Sequence, residues 1–222
     1  MTLALIAGPA NAGKVELLLD RYLEALDREP VLIVPTGSDV ERVERQLLER
    51  CHCLMSGAIG TFDDVFARIA GSERSLIGDA QRALLVRRIV AAADLTTLAT
   101  SARFGGFADA LSQALAEVES GLLEPAHLEG ELALLYAAYR DELGRLGLWD
   151  KPGMRRRAVE RLGNDLDAWH GEPVFAYGFE DLTGAEWALL EGLAGRAEVS
   201  VSLPYEPGRP AFASLARTAE DL

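Results

Sequence analysis

Lys14 closes the run Gly8-Pro9-Ala10-Asn11-Ala12-Gly13-Lys14-Val15, which fits the pattern G-x-x-x-x-G-K. Residues of these types at this spacing suit one kind of chemistry. The glycines let successive backbone N–H groups curl around a phosphate, a following helix adds positive potential at its N-terminus, and the lysine reaches the terminal phosphates. Gly8, Asn11, Ala12, Gly13 and Lys14 are therefore the candidate phosphate ligands. The next position should carry a Ser or Thr hydroxyl for Mg²⁺, but Val15 stands there, and a hydrocarbon cannot ligate a metal. Two readings fit the loop: a cradle that holds a nucleotide weakly and without Mg²⁺, and a glycine-rich strand-to-helix turn that binds nothing.

The acidic partner of such a loop belongs at the end of a later buried strand, where an Asp holds Mg²⁺ and a second group positions the nucleophile. Only Val174–Phe179 offers such a strand, followed by Glu180 and Asp181. The same two acids also suit the first turn of a following helix, where the helix dipole favours them. Cys51 and Cys53 flank His52 too closely for a usual zinc pair, and no second Cys/His pair follows. His127 and His170 are read as surface or core residues, since no nucleophile and acid pair with them.

Asp plus Glu number 35 and Lys plus Arg 22, a net charge of −13. Such a surface repels polyanions as a whole, so contact with nucleic acid needs a local basic patch. Arg155, Arg156 and Arg157, with Lys151 and Arg161, form the densest basic run, and Arg82, Arg87 and Arg88 a second. Solvated helix faces give the same pattern.

Positioning these groups is the task of the surrounding elements. Leu3–Ala7 is a continuous apolar run, which predicts a strand buried on both faces of a parallel sheet. Val15, Leu18, Leu19, Tyr22, Leu23 and Leu26 recur at helical spacing. Val31–Val34 predicts a second strand, and Ser38 or Asp39 a cap for the helix carrying Val40, Val43, Leu47 and Leu48. A weak strand at Ala58-Ile59 leads into a helix with Phe62, Val65, Phe66 and Ile69. From Gly78 to about Trp169 only helices are predicted. Strand, helix and strand then return at Val174–Phe179, Glu186–Leu193 and Val199–Leu203. The fold class is α/β, a P-loop NTPase-like parallel sheet flanked by helices with an all-helical insertion. Residues 1–77 plus 170–222 form the sheet domain, and residues 78–169 the insertion. No apolar stretch approaches the roughly 18 residues of a membrane span, and there is no basic leader segment, so the expected setting is cytoplasmic, with no membrane partner.

The order of these pieces resembles the UvrD-like superfamily 1 helicases. Gly8–Val15, Val31–Thr36, Gly60-Thr61-Phe62 and Tyr177-Gly178-Phe179-Glu180-Asp181-Leu182-Thr183 look like motifs I, Ia, Ib and II, with a helical insertion where that family has its 1B subdomain. The similarity is greatest to the AddB (RexB-like) subunits of ATP-dependent helicase–nucleases, which process double-strand DNA ends for recombination. The resemblance puts the motif I lysine on Lys14 and its metal-binding hydroxyl on Val15. It puts the motif II Asp-Glu pair on Tyr177 and Gly178, and the later Gln and Asp on Glu180 and Asp181. It implies a helicase fold with Mg²⁺ ligands and the water-orienting acid missing, hence no catalytic residue here and weak ATP binding at most.

The same resemblance implies contact with single-stranded DNA through the Ia and Ib turns, at Thr36, Thr61 and Phe62. Capping by Thr61 and core packing by Phe62 are the structural alternatives. It implies a catalytic, AddA-like helicase–nuclease partner. The family's nuclease and four-cysteine iron–sulfur cluster have no counterpart in these residues, which suggests a piece of a longer or truncated protein. Two other functions fit the motifs less well: a small P-loop kinase or transferase with a helical lid, and a pure interaction module.

Overall fold

A computed structural model of the chain describes residues 2–9, 12–120, 123, 125–179 and 182–205. They form two compact units. One comprises residues 1–69 with 158–222, the other residues 70–157.

The first unit is built on five parallel strands: β1 (Thr2–Ala7), β2 (Val31–Ile33), β3 (Ala58–Gly60), β6 (Val174–Tyr177) and β7 (Glu198–Leu203). Their order is β1-β7-β6-β2-β3. Parallel neighbours cannot be joined by tight turns, so each connection crosses over through a helix. Helices α1 (Lys14–Glu24), α2 (Gly37–Arg50), α3 (Phe62–Ala70) and α8 (Gly184–Ala194) make these crossovers. This is the α/β architecture that the alternating pattern predicts.

The core explains why the central strands are so apolar. β6 is buried at all four positions and β2 at all three, because both have paired neighbours on either side and helices over them. Leu18, Leu19 and Tyr22 of α1 pack with Val43 and Leu47 of α2 against Leu32, Phe175 and Tyr177. The Tyr22 and Phe175 rings meet edge to face at 6.0 Å. β1 departs from expectation. It lies at one edge of the sheet, paired with β7 alone among the described residues, and Leu3 to Ile6 are only half-buried. A continuous apolar run reports burial but not neighbour order, and one open side is enough to leave these side chains partly in water.

The second unit packs α4 (Asp79–Ala92), α5 (Phe107–Ser120) and α6 (Gly130–Leu146) around Leu85, Val86, Leu111, Leu115, Leu135, Tyr136, Tyr139 and Leu143. It is not wholly helical: β4 (Ser75–Leu76) pairs in parallel with β5 (Leu148–Trp149). Two residues per strand lie below any readable period. Helix α7 (Lys151–Asn164) follows β5. The long connection after α4 is pinned by one carboxylate. Glu131 accepts bonds from the Thr96, Thr97 and Leu98 N–H groups at 2.5, 2.9 and 2.8 Å and from the Thr96 hydroxyl at 2.7 Å. These donors hold the Glu131 carboxyl down at about 2, led by the Leu98 N–H. Its contribution to stability is therefore present above the ordinary pKa of 4.5 and is lost as pH falls through about 2.

Candidate functional site

The candidate loop joins β1 to α1, as the pattern requires. Gly13 sits at the N-cap of α1 with φ +75°, a left-handed conformation that glycine adopts without penalty, and among the described residues no side chain caps the first N–H groups of α1. Ala12, Gly13, Lys14, Val15 and Glu16 line an open depression of about 340 Å³. The Lys14 ammonium folds back and donates to the Pro9 carbonyl at 2.5 Å. Gly8 is close enough that an added Cβ would touch the Lys14 stem at 3.5 Å. Gly8, Ala12, Gly13 and Lys14 thus sit together, and Asn11 lies outside the described residues. Beside Lys14, Glu16 adds an acid to the first turn of α1, which suits the helix dipole but not an incoming anion.

Val15 is not a vacant metal position. Its side chain packs against the cluster formed by Leu18, Leu19, Leu32, Val43, Leu47, Phe175 and Tyr177. The valine has become the upper edge of the core beneath the loop.

A second set of residues stands at the end of β6. β7 lies between β1 and β6, so their ends are two strand spacings, about 10 Å, apart. Tyr177 is buried, at 4% exposure, in the cluster that takes Val15. Burial pushes its phenol up and the Asp39 charge adds to this, partly offset by a hydrogen bond with Arg42. Arg42 in turn pairs with Asp39 at 2.8 Å. Gly178 has φ +88°, and a Cβ there would stand 3.2 Å from Cδ and Cγ of Pro35. An acid at this position would be strained in backbone and crowded in side chain. Glu180 and Asp181 lie outside the described residues.

Among the described residues, these positions therefore do not fit a magnesium ion between loop and strand. Val15, Tyr177 and Gly178 offer it no carboxylate and, apart from the arginine-bonded phenol of Tyr177, no oxygen. Among the described residues no group of three His, Cys, Asp or Glu is arranged to hold a metal. The same residues do fit a phosphate, through Lys14 and the open N–H groups of α1.

The turns that the resemblance links to single-stranded DNA are occupied by local bonds. Thr36, rather than Ser38 or Asp39, caps α2. Its Oγ1 accepts from the Asp39 N–H at 3.2 Å and lies 2.7 Å from the Asp39 carboxylate and 2.9 Å from Ser38 Oγ. Cap-forming residue types crowd this turn and give no way to choose among them; the extended backbone of Thr36 (φ −136°) settles it. Thr61 does the same for α3. Its N–H and hydroxyl both donate to Asp64 Oδ2 at 2.7 Å. Both threonines stand at C-terminal strand ends, Thr36 in the open and Thr61 half-buried. The Phe62 ring is 4% exposed and lies 4.7 Å from the Phe179 ring and 6.5 Å from Phe66. It is a core residue.

The arginine run on α7 does not form one open patch. Arg155, Arg156 and Arg157 are all half-buried. Arg156 donates to the Tyr136 hydroxyl at 3.0 Å and the Leu123 carbonyl at 3.3 Å, while Arg157 stands 3.9 Å from Glu73. Sequence reasoning missed the Arg42–Tyr177 pair, since nothing in their spacing links a helix surface arginine to a buried strand tyrosine. It also missed a buried cluster in the helical unit around Glu119 and Asp150.

No family model matches the chain. Curated relatives do. A protein of Desulfitobacterium hafniense (strain Y51) is 27% identical over 248 residues, covering 96% of this chain and 20% of its own length. A second, from Desulfitobacterium hafniense (strain DSM 10664 / DCB-2), is 29% identical over 169 residues, covering 67% of this chain and 14% of its own length. A third, from Desulforudis audaxviator (strain MP104C), is 26% identical and covers 94% of this chain and 21% of its own length. Each is named as the B-type subunit of an ATP-dependent helicase/deoxyribonuclease. The chain spans about a fifth of the length of the first and third of these relatives. Among the described residues no helix is long and apolar enough to cross a membrane.

Proposed function

We propose that this chain, homologous over nearly its whole length to the B-type subunits of ATP-dependent helicase/deoxyribonucleases, is a helicase-like region of a DNA-end-processing helicase–nuclease that has lost ATP turnover. The α/β unit corresponds to the 1A subdomain of the helicases it resembles and the helical unit to 1B. Its work is to hold a partner and DNA in place, in the cytosol, during repair and recombination of broken ends. The partner is a catalytic, AddA-like subunit.

One observation carries this reading: the positions that should hold and position Mg²⁺ are filled by groups that serve the core. Val15 and Tyr177 pack into one apolar cluster, and Gly178 adopts a conformation closed to acids. In phosphoryl transfer the metal and the positioned nucleophile supply most of the catalysis. What is left, Lys14 and the backbone donors of α1, binds a phosphate at about 1.5–3 kcal/mol per charge-assisted bond. It has no means of activating water. A kinase or transferase would need the same metal and is disfavoured for the same reason.

DNA contact rests on Thr36 and Thr61 at the strand ends, whose hydroxyls reach a phosphate only by sharing or breaking their cap bonds. The arginines of α7 add at most a few phosphate contacts, because each is already half-buried. The expected result is that the purified chain hydrolyses no ATP with Mg²⁺, with or without single-stranded DNA. Turnover that Lys14→Ala abolishes would overturn the proposal.

A further inference from the structure

The loop joining α2 to β3 carries three sulfur side chains within five residues, in the run Cys51-His52-Cys53-Leu54-Met55. The phosphate-loop reading gives none of them a task. Zinc does not suit them. It takes four ligands, and among the described residues no group of three His, Cys, Asp or Glu is arranged to hold a metal. A soft monovalent ion asks for less. Copper(I) selects thiolate and thioether sulfur over oxygen, and two sulfurs on opposite sides of the ion complete its shell.

The chain holds the sulfurs within reach of one ion. A single residue separates the two cysteines, so their Cα atoms stand at most about 7 Å apart, whatever the backbone between them. Two metal–sulfur bonds of about 2.3 Å each, the length of a zinc–thiolate bond, bridge that gap together with the Cβ–S arms. Cys53 is exposed, Cys51 is half-buried, and both are free thiols. The Cys51 thiol donates to the Leu47 carbonyl at 3.2 Å, the weak bond of a neutral S–H. Beyond Cys53 the side chains alternate. Leu54 is half-buried against the cluster around Leu18 and Tyr22, while Cys53 and Met55 stand in solvent on either side of it. Met55 is 87% exposed, a position where a thioether gains nothing from packing.

The surroundings favour a cation. Cys51 is the C-cap of α2, and the last carbonyls of a helix form a negative pole. The basic residue of that last turn, Arg50, is paired with Asp20 at 2.6 Å. The net charge of −13 adds a weaker attraction over the whole surface.

We infer that Cys51, Cys53 and Met55 form a binding site for a thiophilic monovalent cation of the copper(I) and silver(I) class. On binding, each cysteine exchanges its S–H bond for a sulfur–metal bond, and two protons pass to solvent. The Cys51 thiol gives up its bond to the Leu47 carbonyl. Met55 adds a neutral lone pair. The product is a singly negative bis-thiolate complex, and no electron changes hands.

The test is titration of the full, reduced chain with copper(I) in competition with a chromophoric chelator, without oxygen, repeated with silver(I). One ion per chain should bind, with the ultraviolet charge-transfer band of a metal thiolate. Cys53→Ser removes a direct ligand, so affinity should fall by more than the roughly 10–100-fold that loss of an outer partner costs. Met55→Leu should weaken binding by a smaller factor. Both side chains are exposed, so the urea midpoints should match the wild type. Undiminished affinity in Cys53→Ser would overturn the inference. So would one ion bound per two chains, which would mean that Cys53 bridges copies. Should a variant fail to fold, X-ray absorption at the copper edge of the loaded wild type decides. A shell of two or three sulfurs supports the site, and a shell of nitrogen and oxygen refutes it.

Discussion

Gly178→Asp, which restores an acid to the end of β6, should weaken the α/β unit and yield no metal site. Two costs add. An L-residue held at φ +88° is strained by roughly 1–2 kcal/mol. Its Cβ would also press on the Pro35 ring at 3.2 Å, and overpacking of this kind costs about 1–3 kcal/mol. The sum, about 2–5 kcal/mol, is a large part of the roughly 5–15 kcal/mol that stabilises an ordinary domain. Chemical denaturation should show the full loss. Gly178→Ala should show nearly as much, since both penalties begin at Cβ. Adding Val15→Thr should not restore Mg²⁺ binding, because the threonine hydroxyl would enter the apolar cluster around Leu18 and Tyr177. A Gly178→Asp chain as stable as the wild type, with Mg²⁺ bound, would show that the backbone here is free to serve a metal.

The second large effect falls on ligand binding and spares the fold. Lys14 is the first residue of α1, where a cation opposes the helix dipole, and its ammonium bonds to the loop's own Pro9 carbonyl. Lys14→Ala should therefore leave stability nearly unchanged or slightly raised. It removes the cation that meets a phosphate, a loss of about 1.5–3 kcal/mol, or roughly ten- to a hundredfold in affinity. Calorimetric titration with a nucleoside triphosphate or with pyrophosphate measures it. An unchanged affinity would mean that the loop is only a strand-to-helix turn.

Much of the fold is legible in sequence because its signals are local. The apolar runs at Val31–Val34 and Val174–Phe179 and the helical period of Leu18, Leu19 and Tyr22 follow from burial of one element against another, and the structure places strands at Val31–Ile33 and Val174–Tyr177 within those runs and the helix as read. The loop around Gly13 is equally legible, since a left-handed turn before a helix has few solutions other than glycine.

The remainder depends on contacts between distant residues. That β1 lies at the sheet edge is a fact of strand order. That Val15 belongs to the core is a fact about Phe175 and Tyr177, far along the chain. β4 and β5 exist only because they pair with each other. Glu119 and Asp150 carry no signal in the sequence, and only the packing of the helical unit buries them. Phe62 suits both a base-stacking and a core role by residue type alone, and its enclosure by Phe66 and Phe179 gives it the second.

The residues at Val15, Tyr177 and Gly178 are linked by packing. Val15 and Tyr177 share one cluster, and Gly178 follows Tyr177 against Pro35 at the end of β2. Once hydrocarbon and phenol fill the space beneath the loop, an acid two strands away gains nothing from a hydroxyl partner. Lys14 has no part in that packing.

Titration of the wild-type chain with ATP in excess Mg²⁺ and again in a chelator decides whether the cradle works without its metal. Weak binding of equal strength in both conditions is the predicted result, since the candidate ligands among the described residues, Lys14 and the α1 N–H groups, need no metal. Binding that strengthens roughly tenfold or more with Mg²⁺, about 1.4 kcal/mol, would contradict it and would require an oxygen ligand beside the loop.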